Sequence, residues 1–204
     1  MNKITKSLIA GVLSLAAMSA NAMVIDFAYM ANHPPGEMGM QPLNIDVYGD
    51  GSLMLDIYGY NANGASNAYL DAQTGGLGVC TTLDVNLQCN PSNDDNVTVG
   101  EYLEFVFSGD TAIDSISFNN NHDGGFVGGS STINIDGMSF VTPDSGNVTT
   151  TALDPFSGTR TSSFTIAYDN TQFYVQSITV PEPAGLALLG LGLLGFGVAR
   201  RAKS

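Results

Sequence analysis

The chain has 204 residues, 19 acidic and 6 basic, and a net charge of −13 at pH 7. Residues 23–180 hold eighteen acidic side chains and one base, Arg160, which gives this segment a net charge of −17. Such a segment repels nucleic acids, whose phosphates are bound mainly by Lys and Arg. Its recurring aliphatic and aromatic residues are unlike the composition of disordered acidic chains, and its length is sufficient for a buried core. We therefore expect a folded body that binds no nucleic acid.

Residues 1–22 have the three parts of a secretory signal peptide. Lys3 and Lys6 supply the positive start, residues 8–17 are apolar, and Ala20-Asn21-Ala22 fits the small-x-small cleavage rule. The alternative for this segment is a buried N-terminal helix. The signal peptide predicts that the body is exported and folds outside the cytoplasm.

Alternating apolar and polar residues predict the strands of the body. Leu43, Ile45 and Val47 would share one face of a strand at 43–47, and the pattern repeats at 53–57. Gly49-Asp50-Gly51 between them contains the Asp-Gly signal of a tight hairpin. The further predicted strands are 24–29, 103–107, 112–118, 131–135, 138–141, 163–168 and 173–180.

These nine or so short strands, with no helix pattern between the two termini, predict an all-β body at 23–180. The expected architecture is an antiparallel β-sandwich, jelly-roll-like or immunoglobulin-like. Residues 142–163 are rich in Thr and Ser and are expected to form a long surface loop.

Cys80 and Cys89 are the only cysteines. An isolated pair in an exported protein generally forms a disulfide. A zinc site would need two further soft ligands, and the sequence places no histidine nearby. We therefore predict a bond between Cys80 and Cys89.

The sequence contains no recognisable catalytic constellation. His33 and His122 lie in loop contexts, and neither belongs to an HExxH or Gly-x-Ser-x-Gly motif. Glu101 and Glu104 are three residues apart in an extended segment and would face opposite sides, which does not suit two carboxylates flanking one glycosidic bond. We predict no catalytic residue and a non-enzymatic protein.

A structural calcium ion is the one candidate cofactor. Asp94 and Asp95 lie within the oxygen-rich segment 93–96, and Asp123 lies within 119–124. Calcium prefers carboxylate, amide and carbonyl oxygens of this kind, although neither segment fits an EF-hand loop. The alternative is that these Asn and Asp side chains only cap turns of their own backbone.

The C-terminal residues 181–204 form a second three-part pattern. Pro181-Glu182-Pro183 precedes sixteen uncharged residues at 184–199, and residues 200–204 hold Arg200, Arg201 and Lys203. As a helix, 184–199 would measure about 24 Å, close enough to the ~30 Å hydrocarbon core to span it with local thinning. We expect a transmembrane helix with a cytoplasmic basic tail. A plain stop-transfer anchor has the same apolar span and basic tail.

The order of Pro181-Glu182-Pro183, the Gly/Leu-rich span and Arg200-Arg201 resembles the PEP-CTERM sorting signal of Gram-negative bacteria. The resemblance implies that an exosortase, a protease-like transpeptidase of the inner membrane, recognises and removes the tail. The inner membrane would then be a transient partner through 184–199. The segments 76–80, 88–98 and 101–105 also resemble a stretch found in extracellular β-domains with this signal.

Two classes of function follow from this resemblance. The first is a non-enzymatic structural or exopolysaccharide-associated protein, exported across the inner membrane to the cell surface or extracellular matrix. The second is a secreted polysaccharide-active enzyme or a carbohydrate-binding module. A binding protein would need aromatic platforms, for which Tyr58, Tyr60 and Tyr69 are candidates alongside a plain role in the sheet surface.

Overall fold

The computed structural model of the chain describes residues 22–120, 125–142, 147–148 and 150–182. Met23–Val180 form one compact unit. The predicted signal peptide, apart from Ala22, and the predicted span 184–199 lie outside the described residues.

The described elements are fifteen strands and one short helix. Their bounds are β1 Ala22–Asp26, α1 Phe27–Asn32, β2 Met38–Met40, β3 Leu43–Asp46, β4 Met54–Asn61, β5 Gly64–Asp71, β6 Gly76–Cys80, β7 Tyr102–Ala112, β8 Ser115–Asn119, β9 Phe126–Val127, β10 Thr132–Ile135, β11 Met138–Val141, β12 Asn147–Val148, β13 Thr150–Leu153, β14 Arg160–Tyr168 and β15 Tyr174–Pro181.

Thirteen of the described strands form one large antiparallel sheet. Its main order is β11-β10-β14-β7-β4-β5-β6-β15-β8-β13, with β1 beside β15, β2 beside β5 and β3 beside β4. The remaining two described strands, β9 and β12, pair with each other. The all-β prediction is therefore confirmed.

Strands β4 and β5 connect two parts of this sheet. The end of β4 pairs with the start of β5 through Gly59 opposite Ser66 and Asn61 opposite Gly64. The rest of β5 pairs with β6 instead, from Asn67 opposite Cys80 to Asp71 opposite Gly76. A single strand therefore leads the chain from the β7–β4 part of the sheet to the β6–β15 part.

Alternation along the strands buries one face of the β7–β4 part. Leu103, Phe105 and Phe107 of β7 are buried, as the sequence predicts, and the residues between them are half-buried. Phe105 stacks on Phe164 of β14 with ring centroids 4.8 Å apart. These side chains belong to one apolar cluster that also contains residues of the β6–β15 part, including Val175.

The predicted hairpin between the strands at 43–47 and 53–57 is present as β3 and β4. Asp46 pairs with Met54, and Val47 N–H donates to the Leu53 carbonyl at 2.9 Å. The connection is longer than a two-residue turn, and within it the Asp46 carboxylate accepts from the backbone N–H groups of both Gly49 and Gly51, at 3.0 and 2.8 Å.

The prediction of no helix in the body is wrong, and the predicted strand at 24–29 ends at Asp26. The Asp26 carboxylate accepts from the Tyr29 N–H at 2.8 Å and thereby caps the six-residue helix α1. Phe27 and Ala31 are one turn apart in α1 and are both buried. A helix this short leaves too few repeats for a periodic signal.

The predicted long loop at 142–163 is also wrong. Strand β13 lies within it and pairs along β8 from Thr150 opposite Asn119 to Leu153 opposite Ile116. Strand β12 lies within it too, and β14 already begins at Arg160. The β-branched Thr residues of this segment favour extended backbone despite their polarity, which explains the error.

Candidate functional site

The predicted disulfide is confirmed, with Cys80 at the end of β6 bonded to Cys89 and Cα atoms 5.8 Å apart. Both cysteines are buried and pack with Tyr69 and Leu83. The two sulfurs and an oxygen of Asp94 lie within 4.8 Å of one another. Because the sulfurs are bonded to each other, they are not thiolates and offer no zinc ligand there.

The segment 94–97 lies directly across β6. Val79 N–H donates to the Asn96 carbonyl at 3.2 Å, and Val97 N–H donates to the Phe173 carbonyl at 2.8 Å. A Cβ on Gly78 would lie 2.0 Å from the Asp95 carbonyl oxygen. Glycine at position 78 is therefore what allows the segment to approach β6 this closely.

The candidate calcium ligands Asp94 and Asp95 are adjacent but have different partners. Asp94 Oδ2 accepts from the Thr81 N–H at 3.1 Å, whereas Asp95 Oδ1 accepts from the Tyr174 hydroxyl at 2.6 Å. Both contacts reach residues distant in sequence, so local turn capping does not account for them. Asp123 lies outside the described residues, and the calcium site stays a prediction.

Sequence reasoning missed a buried acidic group beside Asp95. Asp71, at the end of β5, is 7% exposed. Burial raises the pKa of Asp71 to about 7, the charges of Asp95 and Glu37 act in the same direction, and a hydrogen bond with Tyr174 opposes them. No sequence signal predicts this cluster, because Asp71, Asp95, Glu37 and Tyr174 come from four separate segments of the chain.

Tyr69 and Glu101 are also buried rather than placed at the surface. The Tyr69 hydroxyl donates to Glu37 Oε1 at 2.7 Å, and burial raises its pKa. Glu101 lies before β7, where its carboxylate accepts from the Thr98 N–H at 3.0 Å. Burial raises the pKa of Glu101 to about 7. Tyr69 is therefore excluded as a surface platform.

Tyr58 and Tyr60 do share a surface. They lie on the face of β4 opposite the buried Leu55 and Ile57, and Tyr58 pairs with Glu104 across the ladder. Tyr60 stacks on Tyr102 with centroids 4.7 Å apart, and its hydroxyl donates to Glu104 Oε2 at 3.1 Å. We call Tyr58, Tyr60 and Tyr102 the tyrosine face.

The predicted sorting motif begins where β15 ends. Val180 is fully buried, Pro181 is the last residue of β15, and Glu182 is the last described residue. A proline is compatible with this position because it cannot donate to a continuing ladder. The predicted motif thus begins with the last residue of β15, and Glu182 follows directly.

Residues 179–201 match the family model of the PEP-CTERM protein-sorting motif. The chain carries a PEP-CTERM sorting motif. This motif supports an extracellular protein that an exosortase sorts, as the sequence resemblance implies. No curated protein and no solved structure matches the chain.

The PEP-CTERM match extends over Pro183, Arg200 and Arg201, which lie outside the described residues together with the predicted helix 184–199. Within the described ranges, no helix is long and apolar enough to cross a membrane. His122 also lies outside those ranges. The other histidine, His33, is exposed and stacks on Tyr29 with centroids 3.9 Å apart.

Proposed function

We propose that this chain is a non-enzymatic protein of the cell surface or extracellular matrix, associated with exopolysaccharide. The observation that carries the proposal is the PEP-CTERM match at 179–201, directly after an acidic all-β body. In this proposal an exosortase of the inner membrane binds the tail and removes it. The exosortase then carries out the sorting reaction, and the tail is its substrate.

We also infer that the large sheet is folded face to face as a β-sandwich. The support is the single apolar cluster, which contains Phe105 and Phe164 from one part of the sheet and Phe118 and Val175 from the other. Two parts of one sheet bury their side chains in a common core when they stack. The choice between a jelly-roll-like and an immunoglobulin-like arrangement is left open.

Several acidic side chains of the body have structural partners that support a non-enzymatic role. Asp95 accepts from the Tyr174 hydroxyl, Glu37 accepts from the Tyr69 hydroxyl and Glu101 accepts from the Thr98 N–H. A general acid or base must instead reach a substrate. A polysaccharide-binding role is favoured over polysaccharide cleavage because the tyrosine face offers stacking rings.

The test is a Glu182→Ala variant expressed in a host with the exosortase. Proline disfavours helical backbone at and before its own position, so two prolines in the motif favour an extended segment, and Glu182 supplies the one charge that a complementary pocket could select. We expect the variant to accumulate at full length in the inner membrane. Mass spectrometry of the C-terminus, on protein from the membrane and from the matrix, measures the cleaved fraction.

Asp114→Ala is the matched control, since Asp114 is an exposed carboxylate outside the motif. It should be processed like the wild type. If Glu182→Ala were truncated and released at the wild-type rate, the motif would not be read, and the segment would be a plain anchor.

A further inference from the structure

An open cavity of about 530 Å³ lies in the body. It is lined by Thr98 and Val99, by residues that follow β8, flank or end β9 and precede β10, and by residues from the end of β14 and the β14–β15 connection. The volume falls within the range of about 300–1,000 Å³ that is common for small-molecule sites.

The wall of this cavity contains a buried amide with an unused acceptor. Asn120 is 2% exposed, and its Nδ2 donates to the Gly125 carbonyl at 3.2 Å. Its Oδ1 has no hydrogen-bond partner. The accessible surface of this oxygen is below 1 Å², so it lies beneath the wall, and contacts with a ligand are left to the other polar groups of the lining.

The other polar groups around Asn120 are uncharged. Ser131 is buried and its hydroxyl oxygen accepts from the Val127 N–H at 2.9 Å. Within the described ranges, the side chains of Gln172 and Tyr168 line the cavity and make no hydrogen bond to the rest of the protein. These two side chains thus supply the lining with an amide and a hydroxyl that have no internal partner among the described residues.

The described lining contains no Asp, Glu, Lys, Arg or His, although residues 23–180 carry a net charge of −17. An anionic ligand would meet the field of this charge with no basic group among the described lining residues to offset it. A cationic ligand would find no carboxylate among the described lining residues. The lining therefore matches a neutral ligand rich in hydroxyl groups.

We propose that this cavity binds one or two neutral sugar units of a polysaccharide. Sugar hydroxyls both donate to and accept from the Gln172 amide and the Tyr168 hydroxyl. The apolar face of a sugar ring contacts Tyr168 and the exposed side chains of Val99 and Val127. The proposal deepens the function above by naming the ligand class and its site, and it rests on the exopolysaccharide association proposed there.

The full-length chain is purified in a detergent without a sugar headgroup, so that the detergent does not compete. Maltotriose, cellotriose, mannotriose and galactotriose are tested by saturation-transfer NMR, and the strongest by calorimetry. We expect at least one to bind with Kd below ~10 mM, a weak affinity consistent with a few hydrogen bonds. Trigalacturonate and tetra-alanine serve as acidic and peptide probes and should bind at least about tenfold more weakly.

Gln172→Ala should weaken trisaccharide binding about tenfold, since it removes hydrogen bonds worth ~1.4 kcal/mol without removing an internal contact. Gln176→Ala is the matched control, because Gln176 is a half-buried glutamine of β15 outside the lining. Tyr168→Phe removes the second unpartnered polar group, a hydroxyl, and keeps the ring. It should also weaken binding, with thermal unfolding used to verify the fold.

The proposal is overturned if no neutral trisaccharide binds, or if trigalacturonate or tetra-alanine binds more tightly. It is also overturned if Tyr58→Ala, on the tyrosine face, abolishes binding while Gln172→Ala leaves it unchanged. Each of these results leaves the sorting proposal intact, because that proposal is read from processing of the tail. Conversely, failure of Glu182→Ala to block processing does not alter sugar binding by the purified chain.

Discussion

Strands β4 and β7 differ from β6 in how completely they are covered. Along β4 and most of β7, buried residues alternate with half-buried ones, because only one face lies on the core. All five residues of β6 are buried. Leu77 and Val79 reach the apolar core, while Gly78 and Cys80 face the segment 94–97 and the disulfide. A strand covered on both faces loses the polar half of its pattern.

The largest expected effect tests β7, which lies on the core with only one face. Phe105→Ala removes a fully buried ring that stacks on Phe164 and lies 6.4 Å from Phe27. Large-to-small substitutions of this kind typically cost about 3–5 kcal/mol, so we expect a loss of about 4 kcal/mol in unfolding free energy. Urea unfolding of residues 23–180 measures it.

Val106→Ala is the control on the opposite face of the same strand, where the residue is half-buried. We expect a loss below about 1.5 kcal/mol, since less area and no cavity are involved. Equal losses at positions 105 and 106 would contradict the view that only one face of β7 is packed.

The second prediction tests β6, the strand that is covered on both faces. Gly78→Ala places a methyl group 2.0 Å from the Asp95 carbonyl oxygen, a backbone atom that cannot rotate away. Overpacking typically costs 1–3 kcal/mol, and we expect the upper end, about 3 kcal/mol. The matched control is Gly109→Ala on β7, where a Cβ meets nothing within 4 Å. If both variants had wild-type urea midpoints, segment 94–97 would not lie against β6.

This contrast also explains which strands could be predicted. The sequence reasoning located β3, β10 and β11 to within a residue, and apolar residues alternate with polar ones along β3 and β10. It missed β6, whose outer face holds Gly and Cys instead of polar residues. It also missed β5, which changes partners part-way along its length and buries each of its last four residues.

The sites divide in the same way. The disulfide could be predicted because composition alone pairs Cys80 with Cys89, and the sorting motif because it is contiguous in sequence. The cavity could not, since Thr98, Asn120 and Gln172 are brought together only by the fold. Nor could the burial of Asp71, because nothing in the order of residues shows that Asp95 and Glu37 lie near it.

The third prediction separates the regions by their dependence on the disulfide. Replacing Cys80 and Cys89 by Ala opens a loop of about ten residues, which the chain-entropy model values at about 2.5 kcal/mol. Amide exchange should accelerate first at Val79 and Val97, whose N–H groups hold segment 94–97, and least at Ile57 of β4. Uniform acceleration at all three amides would instead mean that the whole body opens as one unit.

The smallest effect concerns pH, and it arises beside the covered strand. Burial and the charges of Asp95 and Glu37 raise the pKa of Asp71 to about 7, above the unfolded value of about 3.9. Between these values the folded state holds a proton that the unfolded state has lost. This group's contribution to stability is therefore fully present below about pH 4, falls as the pH rises, and is lost above about pH 7.

Asp71→Asn removes this titration while keeping the shape of the side chain. At 1.36 kcal/mol per pKa unit the full linkage would approach ~4 kcal/mol, and relaxation around the ionised group should reduce it to on the order of 2 kcal/mol. Glu101, whose pKa is also raised to about 7, titrates in both proteins, so the difference between variant and wild type isolates Asp71. We expect Asp71→Asn to be the more stable protein at pH 8 by about this amount, and the two to converge at pH 4, in urea unfolding at constant ionic strength.

Asp114→Asn, an exposed acid-to-amide change, should show no comparable gain at pH 8. A constant difference between Asp71→Asn and wild type from pH 4 to pH 8 would mean that the effect comes from packing around the amide, since ionisation of Asp71 is the pH-dependent difference between the two proteins in this window.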